Sequence, residues 1–276
     1  MPTPIEHLAA AEGVLLHPRL PEPICAALQA CHPAYLLGST APDLCSLTGD
    51  ARETTHFFVM PMTDRTPAHL RLLQAFPELS RIARVPSDQA AFLAGYLSHL
   101  WLDQAWIAAI FEPFFGPDVR RGLFHERLTE HNVLRARLDR EAYRSLPANL
   151  GEILGASAPD NWLPCIPEKA LWCWRDHLAD QLKPGGRLQT VAVFAERAGM
   201  PVEEFSTRIA SSPGFDLTPR HHLPDRRLNA YRRLALAGCL ELVIAFLRGS
   251  LDEAPLTSHP FRKRIIPHHE QVREHP

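Results

Sequence analysis

His99 and Asp103 stand four residues apart in the most apolar stretch of the chain, and it is there that chemistry first becomes legible. On a helix, positions four apart project from one face, about 5–6 Å apart at Cβ, the arrangement used by helix-borne metal ligands. A lone HxxxD pair is ordinarily a buried His–Asp pair that stabilises helix packing. The surroundings of this one raise its cost, because residues 90–111, AAFLAGYLSHLWLDQAWIAAIF, are apolar on every face except at Ser98, His99, Asp103 and Gln104. A carboxylate and an imidazole buried there need compensation, and a divalent cation supplies it to both more completely than one neutral partner does. His7, Asp43 and His56 are further candidates upstream. Three histidines with two carboxylates suit zinc.

The elements that must position these residues follow from local signals. Thr3 can cap a first helix with Pro4 at its first position and Glu6 three residues after the cap, which is a capping box. His7 then lies in the first turn and shares a face with Ala11, Val14 and Leu15, which points it at the core. Pro18 and Pro21 end that helix. A second helix is expected over 24–37, stopping at Gly38, so that Asp43 is presented from the polar turn GSTAPD. His56 falls at an element boundary in TTHFF, ahead of a helix near 67–76, and His99 and Asp103 share one buried helix over 87–115. Residues 122–145 read as an amphipathic helix with a charged outer face. Pro147, Gly151, Gly155 and Pro159 mark a break, and 164–182, 188–199, 201–211 and 225–249 read as further helices. With no strand alternation and no internal repeat, the class is all-α. Its expected organisation is a metal-binding core over 1–145, helices over 146–250 that complete or flank it, and a loosely held tail over 251–276.

Composition excludes several classes. Hydrophobic residues make up 46% and charged residues 22%, ordinary globular usage that rules out collagen, a coiled coil or a disordered chain. Lys plus Arg is 29 against 31 Asp plus Glu, a net charge of −2, so there is no bulk basic field and no stable nucleic-acid partner is expected. The 26 prolines imply short, punctuated helices, and the 15 histidines hint at metal. The six cysteines contain no CxxC pair, which excludes a zinc ribbon or thioredoxin motif, and Cys165 and Cys173 are expected as core thiols. An Asp near the centre of 87–115 costs about 2.5–3.5 kcal/mol in a bilayer, so no transmembrane segment is expected. The N-terminal stretch lacks a basic n-region and carries an acidic residue in its apolar run; it does not read as a signal peptide, and the cytoplasm is the expected compartment.

The order of the candidate residues resembles a known family. Glu6-His7-Leu8, LGSTAPDL at 37–44, TTHF at 54–57 and AFLAGYLSHLWLD at 91–103 are similar, in order and approximate spacing, to the zinc-dependent phospholipase C family. That family includes bacterial secreted phospholipases C and the N-terminal part of glycosylphosphatidylinositol-specific phospholipase D. The resemblance covers roughly residues 1–140, and its most specific piece is GYxxHxxxD on a long apolar helix. It implies a multi-helix phospholipase C-like bundle around a buried, metal-bearing central helix. One metal would be held by Asp43, His56, His99 and Asp103, and a neighbouring one by His7 with Asp103 as bridging carboxylate. The chain departs from the pattern where the family places a further His after the helix Asp, since Ile107, Ala108 and Ala109 stand there. It departs again at His131, followed four residues on by Arg135 instead of a carboxylate. One or two zinc ions are therefore expected, with the family's third site lost. The amino group that secreted members contribute from a mature N-terminus is also not expected as a ligand. His125, Glu126 and His131 are the substitutes on offer, unless they belong to a solvated helix face.

The chemistry implied is hydrolysis. With an open position on the metal, a bound water whose pKa falls toward ~7 becomes a hydroxide that attacks a phosphodiester, while the metal neutralises charge on the phosphoryl oxygens. Asp43 is expected to accept the proton, by analogy with the family and because a turn carboxylate can swing between metal and water. This reading makes the chain a zinc-dependent phosphoric diester hydrolase, with a phospholipid head group as the first substrate class. Phe57, Phe58, Trp101 and Trp106 would then offer an apolar rim, unless they are simply core. The alternatives are a non-catalytic metal-binding helical protein of the same fold and a single-strand-nuclease-like hydrolase. A third treats 146–250 as a partner-binding module using Arg220, Arg226, Arg227, Arg232 and Arg233. His221, His222, His268 and His269 read as surface residues.

Overall fold

The computed structural model describes residues 1–211 and 223–251, and these are helical with no strand among them. In chain order the helices are α1 (Pro4–Leu15), α2 (Glu22–Ala30), α3 (His32–Thr40), α4 (Cys45–Thr48), α5 (Glu53–His56), α6 (Ala68–Ala75), α7 (Ser87–Trp106), α8 (Glu112–Phe114) and α9 (Phe124–Ser145). Then come α10 (Leu150–Gly155), α11 (Glu168–Leu182), α12 (Thr190–Arg197), α13 (Val202–Ser211) and α14 (Asp225–Leu247). Proline does the punctuating: it stands in the first turn of α1, α2, α3 and α8 and caps α6, α7, α11 and α14. Its fixed φ suits a helix start and its missing N–H costs nothing there.

The capping box of α1 forms as its sequence predicts, with the Thr3 hydroxyl accepting from the Glu6 N–H and the Glu6 carboxylate accepting from the Thr3 N–H. The second helix departs from expectation. It breaks at Cys31, where His32-Pro33 begins a new helix, and α3 runs through Gly38 to Thr40 without stopping there. Gly38 is required for another reason: a Cβ on it would collide with the backbone carbonyl of Phe92, and one on Gly95 with the carbonyl of Tyr35. These two glycines let α3 and α7 cross at backbone contact.

α7 is the central helix, buried continuously from Ala90 to Trp106. α14 packs along another side, where a Cβ on Gly238 would strike the Trp101 ring, and α1 lies against α3, α9 and α14. α10 covers α3, and one connected core runs from Ile5 to Phe246. Two polar residues of α7 are satisfied locally. Gln104 accepts from the Ala68 N–H (2.8 Å) at the start of α6, and the Ser98 hydroxyl donates to the Ala94 carbonyl (2.9 Å). His99 and Asp103 remain to be explained.

After Trp106 the expected helix loosens into a π turn over Ile107–Phe111 before α8. Cys173 is exposed and Cys165 half-buried, against the expectation of core thiols, because Cys173 falls off the Leu171, Trp174 and Leu178 stripe of α11; Cys31 and Cys239 are the buried ones. Of the proposed basic patch, Arg232 pairs with Glu141 (2.8 Å) and Arg227 lies over the Phe114 ring, so these belong to the helix surface. Arg220, His221, His222, His268, His269 and all but the first residue of the 251–276 tail lie outside the described residues. No described helix is long and apolar enough to cross a membrane.

The α3–α7 crossing has a direct test. Gly38→Ala forces two backbones apart, and we expect it to lower unfolding free energy by roughly 3 kcal/mol in urea titrations. A change within about 0.5 kcal/mol would contradict the packing described.

Candidate metal centre

All five residues singled out by sequence converge on one place. His7 comes from the first turn of α1, Asp43 from a short 3-10 turn over Ala41–Leu44, His56 from the last position of α5, and His99 and Asp103 from α7. His7, His56, His99 and Asp103 are buried to within 1% of full burial, whereas the Asp43 side chain is 16% exposed. Two groups have ligand atoms that all lie within 4.8 Å of one another: His7, His99 and Asp103, and Asp43, His56 and His99. Buried His and Asp groups can thus hold a metal ion here.

Local structure fixes how the rings present themselves. His99 Nδ1 lies 2.9 Å from the Ser39 carbonyl, which the α3–α7 glycine contact brings alongside. His56 Nδ1 lies 3.2 Å from the Arg52 carbonyl and 3.0 Å from the Thr55 hydroxyl. A carbonyl only accepts, so each Nδ1 carries a proton, and each Nε2 is the ring atom turned toward the carboxylates. Those two Nε2 atoms face each other at 3.4 Å. Asp43 Oδ1 stands 3.4 Å from His56 Nε2 and 4.0 Å from His99 Nε2, and Asp103 Oδ2 stands 3.5 and 3.7 Å from the same two atoms. Two ring nitrogens and two carboxylate oxygens thus meet at one point.

His7 adds a second face. Its ring stacks on His99 with centroids 3.6 Å apart, and its Nε2 lies 3.3 Å from Asp103 Oδ1. His7 Nδ1 has no hydrogen-bond partner, and His7 Nε2 and Asp103 Oδ1 have only each other, without good hydrogen-bond geometry. Orphaned polar atoms at full burial are rare in native proteins and mark a missing partner.

The electrostatics agree with this arrangement. Burial, reinforced by the neighbouring His99, pushes the His7 pKa down to about 4 despite the opposing pull of Asp103. Burial likewise takes His56 to about 4 against the hydrogen bond it can donate to the Asp43 carboxylate. Burial opposes ionisation of both carboxyls, yet His99, His56 and Arg52 hold Asp43 below the usual carboxylate range, and Arg52, His99 and His7 do the same for Asp103. Burial thus favours the neutral rings of His7 and His56 beside ionised carboxylates, the protonation states these groups have as metal ligands.

Supporting residues pin the loop that carries Asp43 and His56. The Thr55 hydroxyl donates to the Pro42 carbonyl (2.8 Å), and the Tyr96 hydroxyl donates to the Thr55 carbonyl (2.5 Å). Phe57 ends α5 in the left-handed region, at φ 58, and reverses the chain immediately after His56. A non-glycine residue there costs roughly 1–2 kcal/mol, the sort of strain that persists where surrounding structure holds it.

Sequence reasoning passed over Arg52. Its guanidinium contacts Asp103 Oδ2 and lies 3.5 Å from Asp43 Oδ1. The signal was present in RETTH, since Arg52 and His56 have the same four-residue spacing that singled out His99 and Asp103. The substitutes considered for lost ligands do not join the cluster. His125 and Glu126 are exposed. His131 is a core histidine: its Nε2 accepts from the Trp106 indole N–H (2.9 Å), and it sits among Trp106, Phe111 and Phe115. Phe58, Trp101 and Trp106 are buried, so of the four aromatics weighed as a rim only Phe57 is half-exposed. The α-amino group of Met1 is buried, and burial and Arg135 push its pKa well below the ordinary value, with Asp103 acting against them.

No protein-family model, curated protein or solved structure matches the chain.

The neutral histidines give a pH dependence whose sign is fixed. His56 has a folded pKa near 4 against 6.5 unfolded, so the unfolded chain takes up its proton first. Its contribution is intact above pH 6.5 and lost as pH falls toward 4. In metal-free protein, we expect the stability of the wild type relative to His56→Gln to drop by on the order of 3 kcal/mol across that window. Urea unfolding at a series of pH values checks this, and a difference that stays constant with pH would contradict it.

Proposed function

We propose that the cluster is a zinc site and that the chain hydrolyses phosphodiesters, as its resemblance to the zinc-dependent phospholipases C implies. One observation carries the reading. Ligands about 2.0–2.1 Å from a tetrahedral zinc stand about 3.3–3.4 Å from one another. Five of the six separations among His56 Nε2, His99 Nε2, Asp43 Oδ1 and Asp103 Oδ2, namely 3.4, 3.4, 3.5, 3.7 and 4.0 Å, lie at that edge or within about 0.7 Å above it. The orphaned His7 Nε2 and Asp103 Oδ1, 3.3 Å apart, suit a second ion that shares the Asp103 carboxylate. Nitrogen and carboxylate donors without sulfur favour zinc among the abundant divalent ions that choose imidazole.

Zinc in such a site supplies an activated water and neutralises phosphoryl charge. The protein's own residues do the rest. His56 and His99 are locked in one tautomer by backbone carbonyls, as metal-ligating histidines usually are. Asp43 is the most exposed of the five ligands and comes from a turn, so it is the carboxylate able to take a proton at the open edge. The net charge of −2 supports a small or lipid-borne diester over a nucleic acid. The burial of the other four ligands favours a second reading, a closed metal site that holds α1, α3, α5 and α7 together without turnover.

Elemental analysis with a hydrolysis assay separates the two. Wild type is expected to retain about one or two zinc ions per chain, and His99→Ala and Asp103→Ala to lose them. Asp43→Asn is expected to cut hydrolysis of bis(p-nitrophenyl) phosphate or phosphatidylcholine by roughly a hundred-fold or more. Bound zinc without turnover on either substrate would establish the structural reading, and absence of zinc would remove both.

A further inference from the structure

Arg52 is a cation placed where a metal would compete with it. Its two terminal nitrogens reach the two carboxylates, one to Asp43 Oδ1 at 3.5 Å and the other in contact with Asp103 Oδ2. These are the same oxygens that face His56 Nε2 and His99 Nε2. A metal drawing on those oxygens competes with the guanidinium for their charge, and two cations at such range repel.

The residue is also built to move away. Its backbone is held in place, because its carbonyl receives His56 Nδ1. Its side chain is 27% exposed, on the same open edge as Asp43, while the remaining ligands are sealed. The guanidinium lies 5.8 Å over the Phe58 ring, and its Nε has no hydrogen-bond partner. That Nε is buried as the side chain sits; swung away from the carboxylates, its N–H and the adjacent terminal nitrogen form an edge that takes two oxygens of a phosphate at once.

We infer that Arg52 is the anion-recognition residue of this site, released by metal binding from Asp43 and Asp103 so that it can hold a phosphoryl group at the open edge. Metal and phosphate then bind with positive coupling, and metal-free protein closes its own site against the anion. The inference rests on the zinc reading and adds to it what recognises the substrate class.

Calorimetry with inorganic phosphate and with zinc tests it. Zinc-loaded wild type, freed of excess metal, is expected to bind phosphate at least roughly ten-fold tighter than metal-free protein. Arg52→Met is expected to lose roughly ten-fold to a hundred-fold in phosphate affinity while binding zinc more tightly than wild type, because its internal competitor is gone. Arg52→Lys keeps a cation beside Asp103 and covers the case in which the methionine variant does not fold. It should retain zinc and still lose several-fold in phosphate affinity, since lysine lacks the fork. Unchanged phosphate affinity in either variant that binds zinc, or weaker zinc binding by Arg52→Met, would overturn the role of Arg52 alone. Failure of wild type to bind zinc at all would overturn the metal reading and the coupling together.

Discussion

Two imidazole nitrogens facing two ionised carboxylates, three of the four groups buried and Asp43 at the open edge, form the constraint on which the site depends. The Ser39 and Arg52 carbonyls face the Nδ1 atoms of His99 and His56, which turns both Nε2 atoms toward Asp43 and Asp103. The arrangement therefore calls for a cation at its centre. Arg52 answers that call from one side and reaches both carboxylates, but it leaves His7 Nε2 and Asp103 Oδ1 facing only each other.

The helix packing makes that convergence possible. His99 finds the Ser39 carbonyl because α3 and α7 touch backbone to backbone at Gly38 and Gly95. Larger residues would separate the helices by more than a hydrogen bond can span. From the other side, Gly238 accepts the Trp101 ring, and the Tyr231 hydroxyl reaches the Leu102 carbonyl beside Asp103. Thr55 and Tyr96 tie the loop bearing Asp43 and His56 to the same central helix. Each ligand is thus carried by an element whose position is set by contacts with α7, which is the support a rigid metal site requires.

Much of this was legible in the residues. The Thr3–Glu6 capping box and the apolar face of α1 placed His7 inward, and the desolvation cost of a charged pair in an apolar helix singled out His99 and Asp103. Gly38 was misread, since a glycine near the end of a helical run looks the same whether it stops the helix or admits a neighbouring backbone. The break at Cys31 was hidden for a related reason: His32-Pro33 fits both a kink within one helix and the start of another. Arg52 went unnoticed because an arginine in a polar stretch normally faces water, and only the fold shows which carboxylates it meets. The place of His131 depends on where the Trp106 indole lies, which no spacing within α9 discloses.

X-ray absorption at the zinc edge of the dialysed, zinc-loaded protein tests the central claim most directly. The geometry predicts a first shell of nitrogen and oxygen alone at about 2.0–2.1 Å, with the outer-shell scattering of at least two imidazoles and no sulfur. A sulfur shell near 2.3 Å, or zinc coordinated without imidazole, would place the metal elsewhere in the molecule and contradict the account.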